Sequence, residues 1–104
     1  MTVRPAFLIV VAGVLATGAQ AQSFNCAYAK TATEVLICQN PQLGRLDEEM
    51  AAAFYSLDSR TQRAERRRQS RFLAARDRCG YNFGCVASVY QQRIGTLYRL
   101  ANDF

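Results

Sequence analysis

The chain has 104 residues, half of them hydrophobic, and it contains no histidine. Thirteen basic residues, twelve of them arginine, oppose eight acidic ones, so the formal net charge is +5 at pH 7. This length accommodates a single domain. The lack of histidine excludes the most common general base and metal ligand of enzymes, and the moderate positive charge favours an anionic partner.

The first 21 residues have the organisation of a secretory signal peptide. Arg4 supplies the basic start, an apolar run covers residues 6–17, and Ala19-Gln20-Ala21 matches a cleavage site. The run is shorter than the roughly 20 apolar residues of a spanning helix. We therefore expect residues 1–21 to be removed and residues 22–104 to form a periplasmic or secreted domain with no membrane span. Loss of Arg4 leaves twelve basic and eight acidic residues, a charge of +4. No cysteine stands at the cleavage position, so no lipid anchor is expected.

Four cysteines remain in this exported domain, at positions 26, 38, 79 and 85. Small exported domains use cysteines for disulfides, because their compartment is oxidising and their core is small. Spacings of twelve and six residues without histidine do not fit a zinc site, and no Cys-x-x-Cys redox pair is present. Two disulfides are therefore predicted. Three pairings are possible, and the pairing of sequence neighbours, Cys26 with Cys38 and Cys79 with Cys85, is the simplest.

The apolar spacing predicts an all-α fold: a small, disulfide-stapled antiparallel bundle of one short and three longer helices. Residues 31–34, Thr-Ala-Thr-Glu, have the form of a capping box and begin a short helix that ends near Cys38. Asn40-Pro41 begins a second helix as N-cap and first helical residue. Its apolar stripe recurs every three or four residues. The stripe comprises Leu43, Leu46, Met50, Phe54 and Leu57.

A break at residues 58–61 separates this stripe from a third helix, predicted to run from residue 61 to residue 79. Gly80 suits the end of that helix, where the backbone needs a positive φ. A loop over residues 80–84 leads into the last helix. The predicted inner face of the third helix is Glu65, Arg68, Phe72, Ala75 and Cys79. That of the last helix is Val86, Tyr90, Ile94, Leu97 and Ala101.

Residues 60–71, RTQRAERRRQSR, form a basic run on the third helix. Helical geometry turns Arg63, Arg66, Arg67 and Arg71 away from Phe72, which predicts a solvated basic face. The exported location and the lack of nearby aromatic residues argue against a nucleic-acid partner. An anionic surface of the cell envelope is the functional alternative.

Candidate catalytic residues are few. The serines have no recognisable partner, no glycine-rich phosphate loop is present, and Asp47, Glu48 and Glu49 lie together on one helix. This acidic cluster predicts a solvated face with one inward member. We expect no enzymatic activity, no cofactor and no metal site.

Three charged residues lie at the flanks of predicted apolar stripes: Asp47 on the second helix, Arg76 on the third and Arg93 on the last. Charges at the edge of a small core are rarely left unpaired. Asp47 is therefore predicted to pair with Arg76 or Arg93. The role of such a pair is to fix helix register.

Three segments together resemble the LprI-like lysozyme-inhibitor family, in its N-terminal domain type. They are FNCAYAKTATEVLICQNPQLGRLDEEMAAAF, FLAARDRC and CVASVYQQRIGTL, within residues 24–97. Phe72 departs from the family, which usually has tryptophan there, and the lipoprotein cysteine of some members is absent. The matching positions are Phe24, Cys26, Ala29, Glu34, Ile37, Cys38, Leu43, Leu46, Asp47, Arg76, Asp77, Cys79, Cys85, Tyr90 and Arg93.

The resemblance implies an exported helical domain that, in some members, inhibits lysozyme. A +4 inhibitor would meet a basic lysozyme without long-range attraction, so binding would depend on local complementarity. The candidate inhibitory loop comprises Tyr81, Asn82 and Phe83, with Arg78 beside it. The acidic cluster at 47–49 is the second candidate for the inhibitory site.

Two alternatives stay open at this point. The aromatic residues of the loop could simply cap the bundle. The protein could also be a periplasmic envelope protein that docks another protein or an anionic polymer and inhibits no lysozyme. The target enzyme and the oligomeric state are left open by the sequence.

Overall fold

A computed structural model describes residues 23–102, and within this range the fold is the predicted small all-α bundle. The predicted signal peptide, residues 1–21, lies outside the described residues. A short 3-10 helix, Cys26–Tyr28, precedes five α-helices in the described range. They are α1 (Ala32–Gln39), α2 (Pro41–Tyr55), α3 (Ser59–Ala64), α4 (Arg66–Arg78) and α5 (Phe83–Asn102).

The first two helices begin where the sequence predicts. Thr31 and Glu34 form a reciprocal capping box: Thr31 Oγ1 accepts from the Glu34 N–H at 3.0 Å, and Glu34 Oε1 accepts from the Thr31 N–H at 3.2 Å. The Asn40 side chain accepts from the N–H groups of residues 42 and 43, and Pro41 occupies the first turn of α2. Both caps satisfy N–H groups that have no partner inside the helix.

The single third helix predicted from residue 61 to residue 79 is wrong, because the helix is interrupted by a turn at Glu65 and the chain forms α3 and α4 instead. Glu65 has a ψ of 0°, and its N–H bonds to the carbonyls of both Thr61 and Gln62. Its side chain is buried at this interruption. Asp58, which the sequence suggested only as part of a break, caps α3 by accepting from the Thr61 N–H at 2.8 Å.

The core lies chiefly between α2 and α5, with α1 and α4 closing its sides. Most of the predicted inward positions are buried. The exceptions are Leu46, Ala75 and Cys79, which are half-buried, and Arg68 and Ala101, which are exposed. The buried apolar residues are Leu36, Ile37, Leu43, Met50, Ala53, Phe54, Leu57, Phe72, Val86, Tyr90, Ile94 and Leu97.

The four cysteines form two disulfides, each between neighbours in the order of the sequence, which is the simplest of the three possible pairings. Cys26–Cys38 joins the 3-10 helix to α1, and Cys79–Cys85 joins the end of α4 to the first turn of α5. Gly80 has a φ of +64°, so the turn out of α4 uses the left-handed backbone that glycine adopts freely. The Cys79–Cys85 disulfide and this turn together form the connection between α4 and α5, which is called the α4–α5 junction below.

Candidate functional site

Asp47 lies at the centre of a buried polar network between α2 and α5. Its side chain is 0 % exposed. It accepts hydrogen bonds from the Tyr90 hydroxyl at 2.7 Å, from the Ser23 hydroxyl at 2.8 Å and from the Ser23 N–H. Arg76 Nη1 lies 4.0 Å from Asp47 Oδ1. Four groups from three parts of the chain therefore satisfy one buried carboxylate.

Arg76 extends this network from α4 to α1. Its Nη2 lies 2.9 Å from Asp77 Oδ1 and 3.4 Å from Glu34 Oε2, and its Nη1 donates to the Tyr90 hydroxyl at 3.3 Å. The guanidinium also lies 5.4 Å from the centre of the Phe24 ring, within cation–π range. A residue that bonds α1, α4 and α5 at once fixes their mutual register.

The electrostatics of this network shift the pKa values of Tyr90 and Glu34 in opposite directions. Burial raises the pKa of Tyr90 far above its usual value near 10, and the Asp47 charge raises it further. The hydrogen bond from the Lys30 N–H lowers the pKa of Glu34, and Arg76 adds to that effect. Tyr90 therefore remains a donor and Glu34 a carboxylate at neutral pH. Asp47 and Tyr90, at the centre of the network, are fully buried, whereas the Glu34 and Asp77 side chains at its edge are 19 % and 30 % exposed.

Arg93 belongs to a second network, apart from Asp47. Its Nη1 donates to Glu65 Oε1 at 3.2 Å, and its Nε donates to Gln69 Oε1 at 2.9 Å. Of the two partners predicted for Asp47, Arg76 is the one beside it. The pairing of Arg93 with Glu65 was missed, although the place of Glu65 seven residues before Phe72 had put it on the inner face.

The predicted inhibitory loop forms the exposed α4–α5 junction. Tyr81 is 61 % exposed and Phe83 is 41 % exposed. The Tyr81 hydroxyl donates to Gln39 Oε1, and the Asn82 side chain accepts from the Cys85 N–H at 3.0 Å. The loop is shorter than the predicted 80–84, because Phe83 already begins α5 with Asn82 as its cap. Arg78 is exposed at the end of α4 and makes no ion pair among residues 23–102.

The acidic cluster at 47–49 is not one surface, since Asp47 is buried and Glu49 is exposed. Glu49 accepts a hydrogen bond from the Tyr98 hydroxyl, which raises the pKa of Tyr98. A groove of about 450 Å³ between α2 and α5 contains both Glu49 and Phe83. One residue of each predicted inhibitory site therefore lies in the same groove. The groove is lined by Gln42, Arg45, Leu46, Glu49, Phe83, Ala87 and Gln91.

Comparisons with known proteins add no relative: no family model, no curated protein and no solved structure matches this chain. Within residues 23–102, no helix has both the length and the hydrophobicity needed to cross a bilayer. The same range contains no group of three or more acidic or cysteine side chains placed to hold a metal ion.

Proposed function

We propose that this protein is an exported, non-catalytic inhibitor that occludes the active-site cleft of a lysozyme. The observation that carries the proposal is the pair of exposed aromatic side chains, Tyr81 and Phe83, at a junction closed by the Cys79–Cys85 disulfide. The sequence resemblance to LprI-like inhibitors supports the same function. The two disulfides suit an oxidising compartment, as export would provide.

Restraint of the junction supports a docking role for it. The Tyr81–Gln39 and Asn82–Cys85 hydrogen bonds hold the segment between the two disulfide cysteines. A segment ordered before binding loses less conformational entropy on docking. Exposed aromatic side chains are the residues that most often dominate binding energy.

Charge complementarity assigns a role to Arg78. Glycosidase clefts carry a pair of catalytic carboxyl groups, and arginine binds carboxylates through two parallel hydrogen bonds. Arg78 is exposed beside Tyr81 and is not engaged with any acidic group in residues 23–102. It is therefore free to meet a carboxylate of the target.

The absence of catalysis is proposed from the state of the internal carboxylates. Asp47 and Glu65 are both buried and both lie beside arginines. A carboxylate that is enclosed and paired in this way cannot act as a general acid or base on an external substrate. The chain also has no histidine to replace it.

A second candidate is an envelope protein that docks another protein or an anionic polymer without inhibiting lysozyme. The observation that favours it is the exposed set of arginines on α3 and α4, including Arg63, Arg66 and Arg67. None of these three forms an ion pair within residues 23–102.

The test is a cell-wall lysis assay with a panel of lysozymes, followed by variants against any enzyme that the parent inhibits. Tyr81→Ala should weaken inhibition by roughly 30-fold, the loss typical of a binding hot spot. Tyr55→Ala is the matched control, because Tyr55 is 71 % exposed and lies at the far end of α2. It should leave inhibition unchanged.

Two results would count against this proposal. Full inhibition by Tyr81→Ala, Asn82→Ala, Phe83→Ala and Arg78→Ala would move the site to the Glu49 side of the groove. Failure of the parent to inhibit any lysozyme in the panel would put the envelope-docking function first.

A further inference from the structure

A second groove, of about 290 Å³, lies between α4 and α5 on the side of the bundle that carries Arg93. Its lining combines three arginines with an apolar floor that includes Phe72 and Val89. It shares no residue with the Tyr81 junction or with the groove at Glu49. The full lining is Arg68, Arg71, Phe72, Ala75, Val89, Gln92, Arg93 and Thr96.

The positive charge of this groove is only partly compensated. Glu65 accepts from Arg68 at 3.1 Å with one oxygen and from Arg93 at 3.2 Å with the other. Arg71 is exposed and makes no ion pair among residues 23–102. Two of the three guanidinium groups share one carboxylate and the third has none, which leaves a local excess of two positive charges.

Arg93 also has an unsatisfied hydrogen-bond donor. The residue is only 7 % exposed, and its Nη2 is buried without a hydrogen-bond partner. Within residues 23–102 this is the single buried side-chain nitrogen or oxygen without a partner. Buried donors in native proteins almost always have a partner, and an exception commonly marks the place of a water or an ion. The neighbouring donors of the same guanidinium are already used by Glu65 and Gln69.

We propose that this groove binds a phosphate group, held by the exposed Arg71 and Arg68 and completed by the unpartnered Nη2 of Arg93 once ligand binding uncovers that donor. A phosphate dianion matches the excess of two positive charges, whereas a carboxylate would compensate only one of them. Its oxygens accept the forked hydrogen bonds that guanidinium groups donate. The apolar floor at Phe72 and Val89 suits the organic part of a phosphate monoester. Inorganic phosphate shares the same chemistry and is the other possible source.

The experiment titrates the purified protein with inorganic phosphate and, separately, with phenyl phosphate, at low salt and about pH 8, where both are mainly dianions. Calorimetry gives the affinity, and the NMR signal of the Arg93 Nε–H reports whether the ligand reaches the groove. We expect saturable binding at one site and a shift of that signal. Tighter binding of phenyl phosphate would identify a monoester as the ligand, and tighter binding of inorganic phosphate would identify the free ion.

Arg71→Gln tests the site without disturbing a buried contact. It should weaken phosphate binding by about ten-fold or more, the usual effect of losing one charge-assisted hydrogen bond. Arg67→Gln removes the same charge from an exposed arginine outside the groove, and it should change the affinity less than two-fold. This second comparison separates a defined site from general attraction to a basic surface.

Three results would overturn the proposal. They are equal weakening by the two variants, acetate binding as tightly as phosphate, and no saturation by about 10 mM phosphate. None of these measurements involves a lysozyme, so the outcome is independent of the proposed inhibition.

Discussion

Asp47 is the residue on which the interior of the bundle depends most. Replacing it with alanine leaves the Tyr90 hydroxyl and the Ser23 donors without an acceptor and removes a counter-charge from Arg76. We expect Asp47→Ala to lower the free energy of unfolding by about 3 kcal/mol, the cost of breaking a buried charged network. Urea denaturation monitored by circular dichroism measures this change.

The neighbouring Glu48 provides the matched control for that measurement. It lies on the same helix and forms no ion pair among residues 23–102. Glu48→Ala should therefore change the free energy of unfolding by less than about 0.5 kcal/mol. Equal denaturation midpoints for the two variants would mean that the buried network contributes nothing to stability.

For single residues, the sequence predicted which charged side chains lie at the edge of the core better than it predicted which groups they contact. Asp47, Arg76 and Arg93 were each recognised from their positions beside apolar stripes. The partner of Arg93 was not, because pairing depends on how α4 and α5 are placed against each other. Helical periodicity shows which side of a helix a residue occupies, but not the register between two helices.

Glu34 of the α1 capping box makes both local backbone contacts and a contact with another helix. Glu34 accepts from the backbone of residues 30 and 31 and also lies 3.4 Å from Arg76 of α4. These contacts lower the pKa of Glu34 below its ordinary value of 4.5, with the Lys30 hydrogen bond as the main cause. The contribution to stability is therefore complete above about pH 4.5 and is lost as the pH falls through the lower, folded-state pKa.

The lowered pKa of Glu34 leads to a prediction for Glu34→Gln. Glutamine keeps an acceptor oxygen for the capping box but cannot change its charge. The variant should be less stable than the parent at neutral pH, and it should lose less stability between about pH 6 and about pH 3. Thermal denaturation across that range measures both effects. Parallel pH profiles of the parent and the variant would show that Glu34 contributes nothing to the acid sensitivity. Glu48→Gln is the control, because Glu48 forms no ion pair among residues 23–102.

The beginnings of α1 and α2 could be predicted from the sequence, whereas the break at Glu65 could not. Thr31, Asn40 and Pro41 act through hydrogen bonds and φ values set within a few residues, so the sequence contains the whole signal. Residues 59–78 contain neither proline nor glycine. No residue in this stretch therefore predicts an interruption of the helix. Glu65 lies at the interruption, with its carboxylate paired to Arg93 of α5. That contact belongs to the tertiary structure.

The whole molecule uses several of its acidic groups internally, which leaves its surface basic. Glu34, Asp47 and Asp77 surround Arg76, and Glu65 lies between Arg68 and Arg93. Exposed arginines without an ion pair in the described range are Arg45, Arg60, Arg63, Arg66, Arg67, Arg71, Arg78 and Arg99. Any anionic partner is attracted by this surface, and any basic partner is repelled by it.

The proposed binding to a lysozyme should depend on salt, because of this distribution of charge. A basic lysozyme approaching this net-positive chain is repelled at long range, while the contacts proposed for the Tyr81 junction act only at short range. Added salt shortens the screening length from about 30 Å at 0.01 M to about 8 Å at 0.15 M. The association rate constant should therefore rise over this range, and the dissociation rate constant should change little.

Stopped-flow or surface-binding kinetics with a basic lysozyme that the parent inhibits measures this effect. The double variant Arg63→Gln/Arg67→Gln removes two exposed charges that form no ion pair among residues 23–102. It should associate faster than the parent at low salt and at a similar rate at high salt, because the repulsion it relieves is already screened there. An association rate that falls as salt is added would show a net attraction between the two proteins. Docking would then be guided by an acidic surface such as Glu49, and the Tyr81 junction would not be the first point of contact.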